Sequence, residues 1–313
     1  MKLTYCAKIE NPESHQLKVI IEGTKEASEN NLTFFMPSWS PGSYLMREYG
    51  RNVKSFTAQT DNGEYLYFEQ LDKGKWQIDW SKSELNKASD KFTVTYEVFC
   101  HELTVRTSHI DASHAFLHGP SVFMGIEEKV LDNPTLEVQF PPIWSKITTG
   151  LKDISEKREI FLYQAKNYDE LIDSPLEIGC HETDGFMSAG KEHHLAWYGK
   201  TFKHKNDLKK DIKTVVDHIS DFFGGVPYDQ YMFITHMVPG LFGGLEHSNS
   251  TALQFCSTKF TERKGYLNWI ELVAHEYFHT WNVKRIRPRE LGPFNYTEEA
   301  LTRMHWLTEG LTS

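Results

Sequence analysis

The sequence has little of what marks several protein classes. Its 313 residues contain four cysteines, Cys6, Cys100, Cys180 and Cys256, and none belongs to a C-x-x-C pair. Such spacing supports neither a disulfide framework nor a cysteine-held zinc site, so buried thiols in a reducing cytoplasm are expected. No run of about 18 apolar residues occurs, so no transmembrane helix is expected. Lys8 and Glu10 interrupt the N-terminal apolar stretch, which argues against a secretory signal. The net charge of −9 leaves no basic excess to neutralise phosphates, so neither nucleic acid nor a membrane surface is an expected partner. There is no internal repeat and no Gly-x-Ser-x-Gly elbow, so a serine hydrolase is unsupported. Gly185 to Lys191 mimics a phosphate-binding loop, but Glu192 stands where a hydroxyl should hold magnesium.

What is present is globular. Hydrophobic residues make up 39% and charged residues 25%, enough for one or two sizeable cores, and the 13% aromatic content suits bulky cores or a binding groove. In the first half, Leu17, Val19 and Ile21, then Trp76, Ile78 and Trp80, then Phe92, Val94, Tyr96 and Val98, then Leu136, Val138 and Phe140 recur with period two. That alternation predicts an antiparallel β-sandwich over residues 1–168. Afterwards the period changes. Leu208, Ile212, Val215, Val216, Ile219, Phe222 and Phe223 share one helical face that Gly224-Gly225 terminates. A second helix, apolar on most sides and therefore buried, is predicted for 265–284. A third is predicted from Asn295, where Asn295 and Glu298 have capping-box spacing, through Leu311. A second domain is thus expected over 169–313, with a soft boundary at Asp173-Ser174-Pro175. Overall this is an α+β, multidomain chain.

The strongest chemical signal is His275-Glu276-Tyr277-Phe278-His279. Positions i and i+4 lie on one helical face, so both imidazoles can reach one metal, with Glu276 close enough to face a metal-bound water. Two histidines and a glutamate in an apolar helix are costly without a metal or partners. A third ligand is needed. Asn282 and Arg285 occupy the positions where the extended three-histidine pattern needs Gly and His, which leaves a carboxylate: Glu290, Glu298, Glu299 or Glu309. Capping explains Glu298 and Glu299, and Glu290 lies in a proline-flanked turn. Glu309, among residues that otherwise face a core, is the choice, with His305 one turn earlier as its partner or rival. His193-His194 and the histidines at 101, 109, 114 and 118 lack ligand partners at helical spacing and read as surface or core polar groups. Lys284, Arg285 and Arg287 either complement the helix C-terminus or hold carboxylates.

The run from His275 to Pro288 resembles the signature of the glycyl aminopeptidase (M61) family of metallopeptidases. Trp306 to Thr312 is similar to its third-ligand helix, Gly243-Gly244-Leu245-Glu246-His247 to the strand before its zinc helix, and Pro37 to Tyr44 to its N-terminal β-domain. The resemblance implies the first part of a thermolysin-like, gluzincin catalytic domain after the β-domain. It implies one zinc ion held by His275, His279 and Glu309, Glu276 as general base, and Gly243, Gly244 and Glu246 at the substrate, Glu246 on its α-amino group. The bland alternative for Glu246 is a strand carboxylate paired with a Lys or Arg. The implied activity is removal of N-terminal Gly or Ala from peptides. The family's further helical domain and usual PDZ domain, and the oxyanion-stabilising tyrosine of the related alanyl aminopeptidases, lie downstream of this stretch, which is therefore expected to be the front part of a longer protein. The rivals are an endopeptidase on the same metal and a catalytically incomplete peptide-binding fragment. Cobalt or manganese would also suit two imidazoles and a carboxylate. The oligomeric state is not legible.

Overall fold

Alternating apolar residues make the long strands of the first half. In Gln16–Thr24 and Lys91–Phe99 the buried sets Leu17, Val19, Ile21 and Phe92, Val94, Tyr96, Val98 lie opposite one another, with Val19 facing Tyr96 and Ile21 facing Val94. The computed structural model describes residues 1–86, 89–157, 160–200 and 205–312. These two strands lie inside a seven-stranded sheet, which Leu3–Lys8 extends on one side and Val53–Thr60 on the other. One pairing departs from the antiparallel expectation: Leu3–Lys8 runs parallel to Thr135–Gln139, because the chain returns to its first strand only after crossing the domain. A four-stranded sheet containing Asn31–Phe35 and Lys75–Asp79 sends Phe34, Trp76 and Ile78 into the same core.

A further four-stranded sheet pairs Leu176–Gly179 with Lys146–Thr149 and with His114–Leu117. Pairing to the first half therefore continues beyond residue 168. The Asp173-Ser174-Pro175 turn leads from a one-turn helix, Tyr168–Ile172, into Leu176–Gly179, whose four residues are all buried.

The second half is built on a five-stranded mixed sheet. Its order is Glu182–Ser188, Lys191–Gly199, Gln230–Met237, Ser250–Phe255, Phe242–Glu246, so Phe242–Glu246 is an edge. The phosphate-loop mimic is the hairpin between the first two strands, turning at Ala189 and Gly190 with positive φ. The helices Lys205–Phe223 and Arg263–Phe278 pack together, and Ile212, Val216, Trp269, Val273 and Tyr277 share a core with Phe233, Leu253 and Phe255. The second helix is less enclosed than its composition predicts, since Leu267 is exposed, and it ends at Phe278, continuing as turns through Arg285.

The third expected helix is a correction. No helix begins at Asn295, whose side chain accepts from the amide and hydroxyl of Thr297 while its carbonyl accepts from Trp39 Nε1. The carbonyl of Tyr296 accepts from the Ser38 amide. These bonds to the β-domain take the backbone groups a helix would need, and helix appears only at His305–Thr308. Ser313, the last residue of the expected second domain, lies outside the described residues. Among the described residues no helix is long and apolar enough to cross a membrane.

Candidate metal centre

The last turn of Arg263–Phe278 and its C-cap bring His275 and His279 onto one face, with their Nε2 atoms 3.1 Å apart. A Glu309 carboxylate oxygen, delivered from the end of the one-turn helix His305–Thr308, lies 3.5 Å from each. Zinc ligands about 2.0–2.1 Å from a tetrahedral ion are about 3.3 Å from one another, so these three atoms have the spacing such an ion requires. The tautomer agrees. His279 Nδ1 donates to the carbonyl of Asn282 at 2.6 Å, so Nε2 faces the other two groups, donating to Glu309 when protonated and offering its lone pair to a cation when not. Burial opposes ionisation of Glu309, but hydrogen bonds from both histidines outweigh it and hold the carboxyl at about 2. Burial likewise lowers the His279 pKa, and Glu309 and Glu246 more than reverse this, raising it to about 9. Both shifts express a site that attracts positive charge.

The structure brings Glu309 to the histidines and none of the other candidates. Glu290, Glu298 and Glu299 are exposed and outside the triad, while the ring of His305 lies 4.9 Å from that of Tyr44. What places Glu309 is Asn282: its side-chain amide donates to the carbonyls of Leu307 and Thr308 and to the Thr312 hydroxyl, at 3.0–3.2 Å. One residue thereby fixes the His279 ring through its carbonyl and the Glu309 segment through its side chain. In the sequence Asn282 stands out only as a departure from the three-histidine pattern and as part of the run that resembles the M61 signature.

Glu276 is buried against the edge strand. A Cβ at Gly244 would collide with its carboxylate, so glycine there permits the close approach. Burial and then the neighbouring Glu246 push the Glu276 carboxyl up to about 8, against the opposing fields of His279 and Arg106. Glu246, Glu276 and His279 have ligand atoms within 4.8 Å of one another. Glu246 is 3% exposed, its Oε1 has no hydrogen-bond partner among the described residues, and it forms no ion pair there. The reading of Glu246 as a strand carboxylate paired with Lys or Arg thus finds no such partner.

The N-terminal domain reaches this site. Gly42, at φ +94°, lies directly on the Glu246 carboxylate, and Tyr44 is close enough for burial and then Glu246 to raise its pKa. Below them Asp173 joins three elements: it accepts from the Lys284 ammonium at 2.8 Å, from His247 Nδ1 at 3.1 Å, and from the amide and hydroxyl of Ser248. Lys284 therefore holds a carboxylate, whereas Arg285 donates to the carbonyls of Thr280, Ser248 and Pro227. Gly42 and Tyr44 fall in a motif the sequence analysis singled out as a whole. Asp173 appeared there as a turn residue, and its hub depends on contacts 74 and 111 residues away.

His114, which reads as isolated in the sequence, is coupled to His236. His114 and His236 each lie 2.8 Å from a different oxygen of Glu177, and all three are buried. The three come from separate strands, so no helical spacing could reveal them.

Comparison with known proteins bears on the family and the fold. The family profile described as Peptidase M61 N-terminal domain matches residues 4–180, and that described as M61 glycyl aminopeptidase matches residues 268–313. Among solved structures, the chain is similar to an aminopeptidase N family protein from Idiomarina loihiensis, with 28% identity and a TM-score of 0.91. That match covers 99% of this chain and 53% of the other, so the chain spans about half the length of that relative. An M1 zinc metallopeptidase from Deinococcus radiodurans (12% identity, TM-score 0.53, 89% of this chain and 64% of that one) shares the fold. So does native yeast LTA4 hydrolase, at 12% identity and TM-score 0.54, over 90% of this chain and 44% of that one. No match is found among curated protein sequences.

Proposed function

The chain belongs to the M61 glycyl aminopeptidase family, and from that premise we propose that it carries the zinc site of an aminopeptidase acting on peptides with small N-terminal residues, Gly or Ala. In this reading the first half is a β-sandwich and the second the front of a thermolysin-like catalytic domain. The observation that carries the proposal is the convergence of His275 Nε2, His279 Nε2 and a Glu309 oxygen, with Glu276 beside them. Those three residues would hold the ion, which when bound polarises a peptide carbonyl and lowers the pKa of water. Glu276 takes a proton on its carboxylate from the attacking water and gives it to the leaving amine. A nearby dication would favour its ionised form, against the burial that raises its pKa.

Glu246 favours an aminopeptidase over an endopeptidase. A buried carboxylate oxygen beside the general base, with no hydrogen-bond partner among the described residues, suits an α-ammonium, which would satisfy it and fix the first peptide bond over the metal residues. Gly42 and Tyr44 already occupy the space around that carboxylate, which favours small first residues. Four unpaired cysteines favour a reducing compartment.

The test is release of N-terminal Gly or Ala from tripeptides by zinc-supplied protein, compared with N-acetylated peptides. Glu276→Gln should keep the metal and lose roughly 10²–10⁴-fold in rate. Equal cleavage of acetylated peptides would refute the aminopeptidase reading, and full activity of Glu276→Gln would refute its mechanism.

A further inference from the structure

Phe242–Glu246 is the edge of its sheet, and its register fixes which backbone groups it leaves free. The His247 amide donates to the Ser250 carbonyl directly opposite, so 247 and 250 form a hydrogen-bonded pair. Pair type alternates along an antiparallel ladder, so Leu245 and Gly243 bond inward while Glu246 and Gly244 turn their N–H and C=O groups to the open side. An extended peptide can add to such an edge.

The Gly244 carbonyl on that open side is met by Arg106 of the N-terminal domain, whose Nη2 donates to it at 3.2 Å. Among the described residues this is the guanidinium's one hydrogen bond, and it has no ion pair there. A guanidinium carries five N–H donors, and Arg106 is half-buried with its remaining donors open to an incoming ligand. Its backbone is nonetheless held firmly. Tyr49 donates to its carbonyl at 2.8 Å, its own amide donates to the Thr104 hydroxyl, and the adjacent Val105 packs in a buried cluster with Leu245 and Ala252. A cation on a firmly held backbone, with no ion pair among the described residues, at the edge of a peptide site is arranged to receive an anion.

We propose that Arg106 binds the free C-terminal carboxylate of the substrate, so that the site is built for di- and tripeptides. This rests on the aminopeptidase reading above. The distance supports it. Residues 243 and 244 lie about 7–10 Å along the strand from Glu246 at about 3.4 Å per residue. An extended di- or tripeptide, at about 3.3–3.6 Å per residue, covers a similar span. With its ammonium on Glu246, such a peptide presents its carboxylate near Arg106, and a fork of donors matches two carboxylate oxygens.

The experiment compares triglycine with triglycine amide, which differ at the C-terminal group alone. Binding is measured by calorimetry on the zinc-supplied Glu276→Gln protein, and turnover on the unsubstituted protein. The acid should bind roughly ten- to a hundred-fold tighter than the amide. Arg106→Gln should bring that ratio close to one, and Arg106→Lys should keep part of it. A merely structural Arg106 would weaken both ligands alike and leave the ratio unchanged, which overturns the proposal, as does a ratio near one before any substitution. Acid-selective binding without cleavage supports Arg106 while refuting peptidase activity; cleavage without acid selectivity does the reverse.

Discussion

His275, His279 and Glu309 are, like His114, His236 and Glu177, two imidazoles and a carboxylate, but the two sets are assembled differently. In the first, both Nε2 atoms and one carboxylate oxygen point at a common centre, and Glu309 remains half exposed. In the second, each imidazole takes its own oxygen of Glu177, and no part of the cluster reaches solvent. The far ring nitrogens differ too. His279 gives its Nδ1–H to the Asn282 carbonyl, as metal-bound imidazoles do, whereas His114 Nε2 and His236 Nδ1 have no partner among the described residues. Rings with a bare outer nitrogen are best placed to donate inward to Glu177. The first set is thus shaped for a cation, and the second is a hydrogen-bonded staple between the two halves of the chain. Ligand type alone does not make a metal site; the direction of the lone pairs does.

This contrast can be broken most sharply by metal content. His279→Ala should lower bound zinc from about one ion per chain to near none, while His236→Ala should leave it unchanged, both read by elemental analysis. Loss of zinc in His236→Ala would mean that the buried cluster is a metal site after all. Glu177→Ala probes the other side. Removing the carboxylate strands two buried imidazoles and should cost about 3–5 kcal/mol in urea unfolding, with the zinc count unaffected.

The same residue sets a pH dependence. Burial raises the Glu177 pKa, but His236 and His114 outweigh it and bring the group to about 2 in the folded protein. A depressed carboxyl pKa stabilises above the unfolded value of about 4.3 and loses that contribution as pH falls toward 2. Stability should therefore drop across that window, and less steeply in Glu177→Gln. Equal slopes would show that the staple is not ionised. The smallest expected effect is at Asn282. Asn282→Ala keeps both histidines and Glu309 but frees the segment that carries the carboxylate, and should weaken zinc binding roughly 10–100-fold by competition with a chelator. Undiminished affinity would show that Glu309 is placed without it.

Some of this was legible in advance because it is local. The spacing of His275 and His279 needs nothing but helical periodicity, and the strands around Val19 and Val94 announce themselves by alternation. The predicted helix at Asn295 failed for a reason no local rule contains. Trp39 and Ser38, more than 250 residues away, donate to the backbone carbonyls that its first turn would use. Arg106 gave no signal at all, since one arginine in a loop has no period and no spacing.

The sequence by itself determined the paired imidazoles, the glutamate between them and the alternating strands, because periods of 3.6 and 2 are properties of neighbouring residues. Tertiary structure alone decided that one Glu309 oxygen meets both imidazoles, that Glu246 Oε1 is buried with no hydrogen-bond partner among the described residues, that Arg106 meets the edge strand and that His114 and His236 share Glu177. Each of those depends on the direction in which a side chain meets another segment, and direction is fixed by packing rather than by distance along the chain.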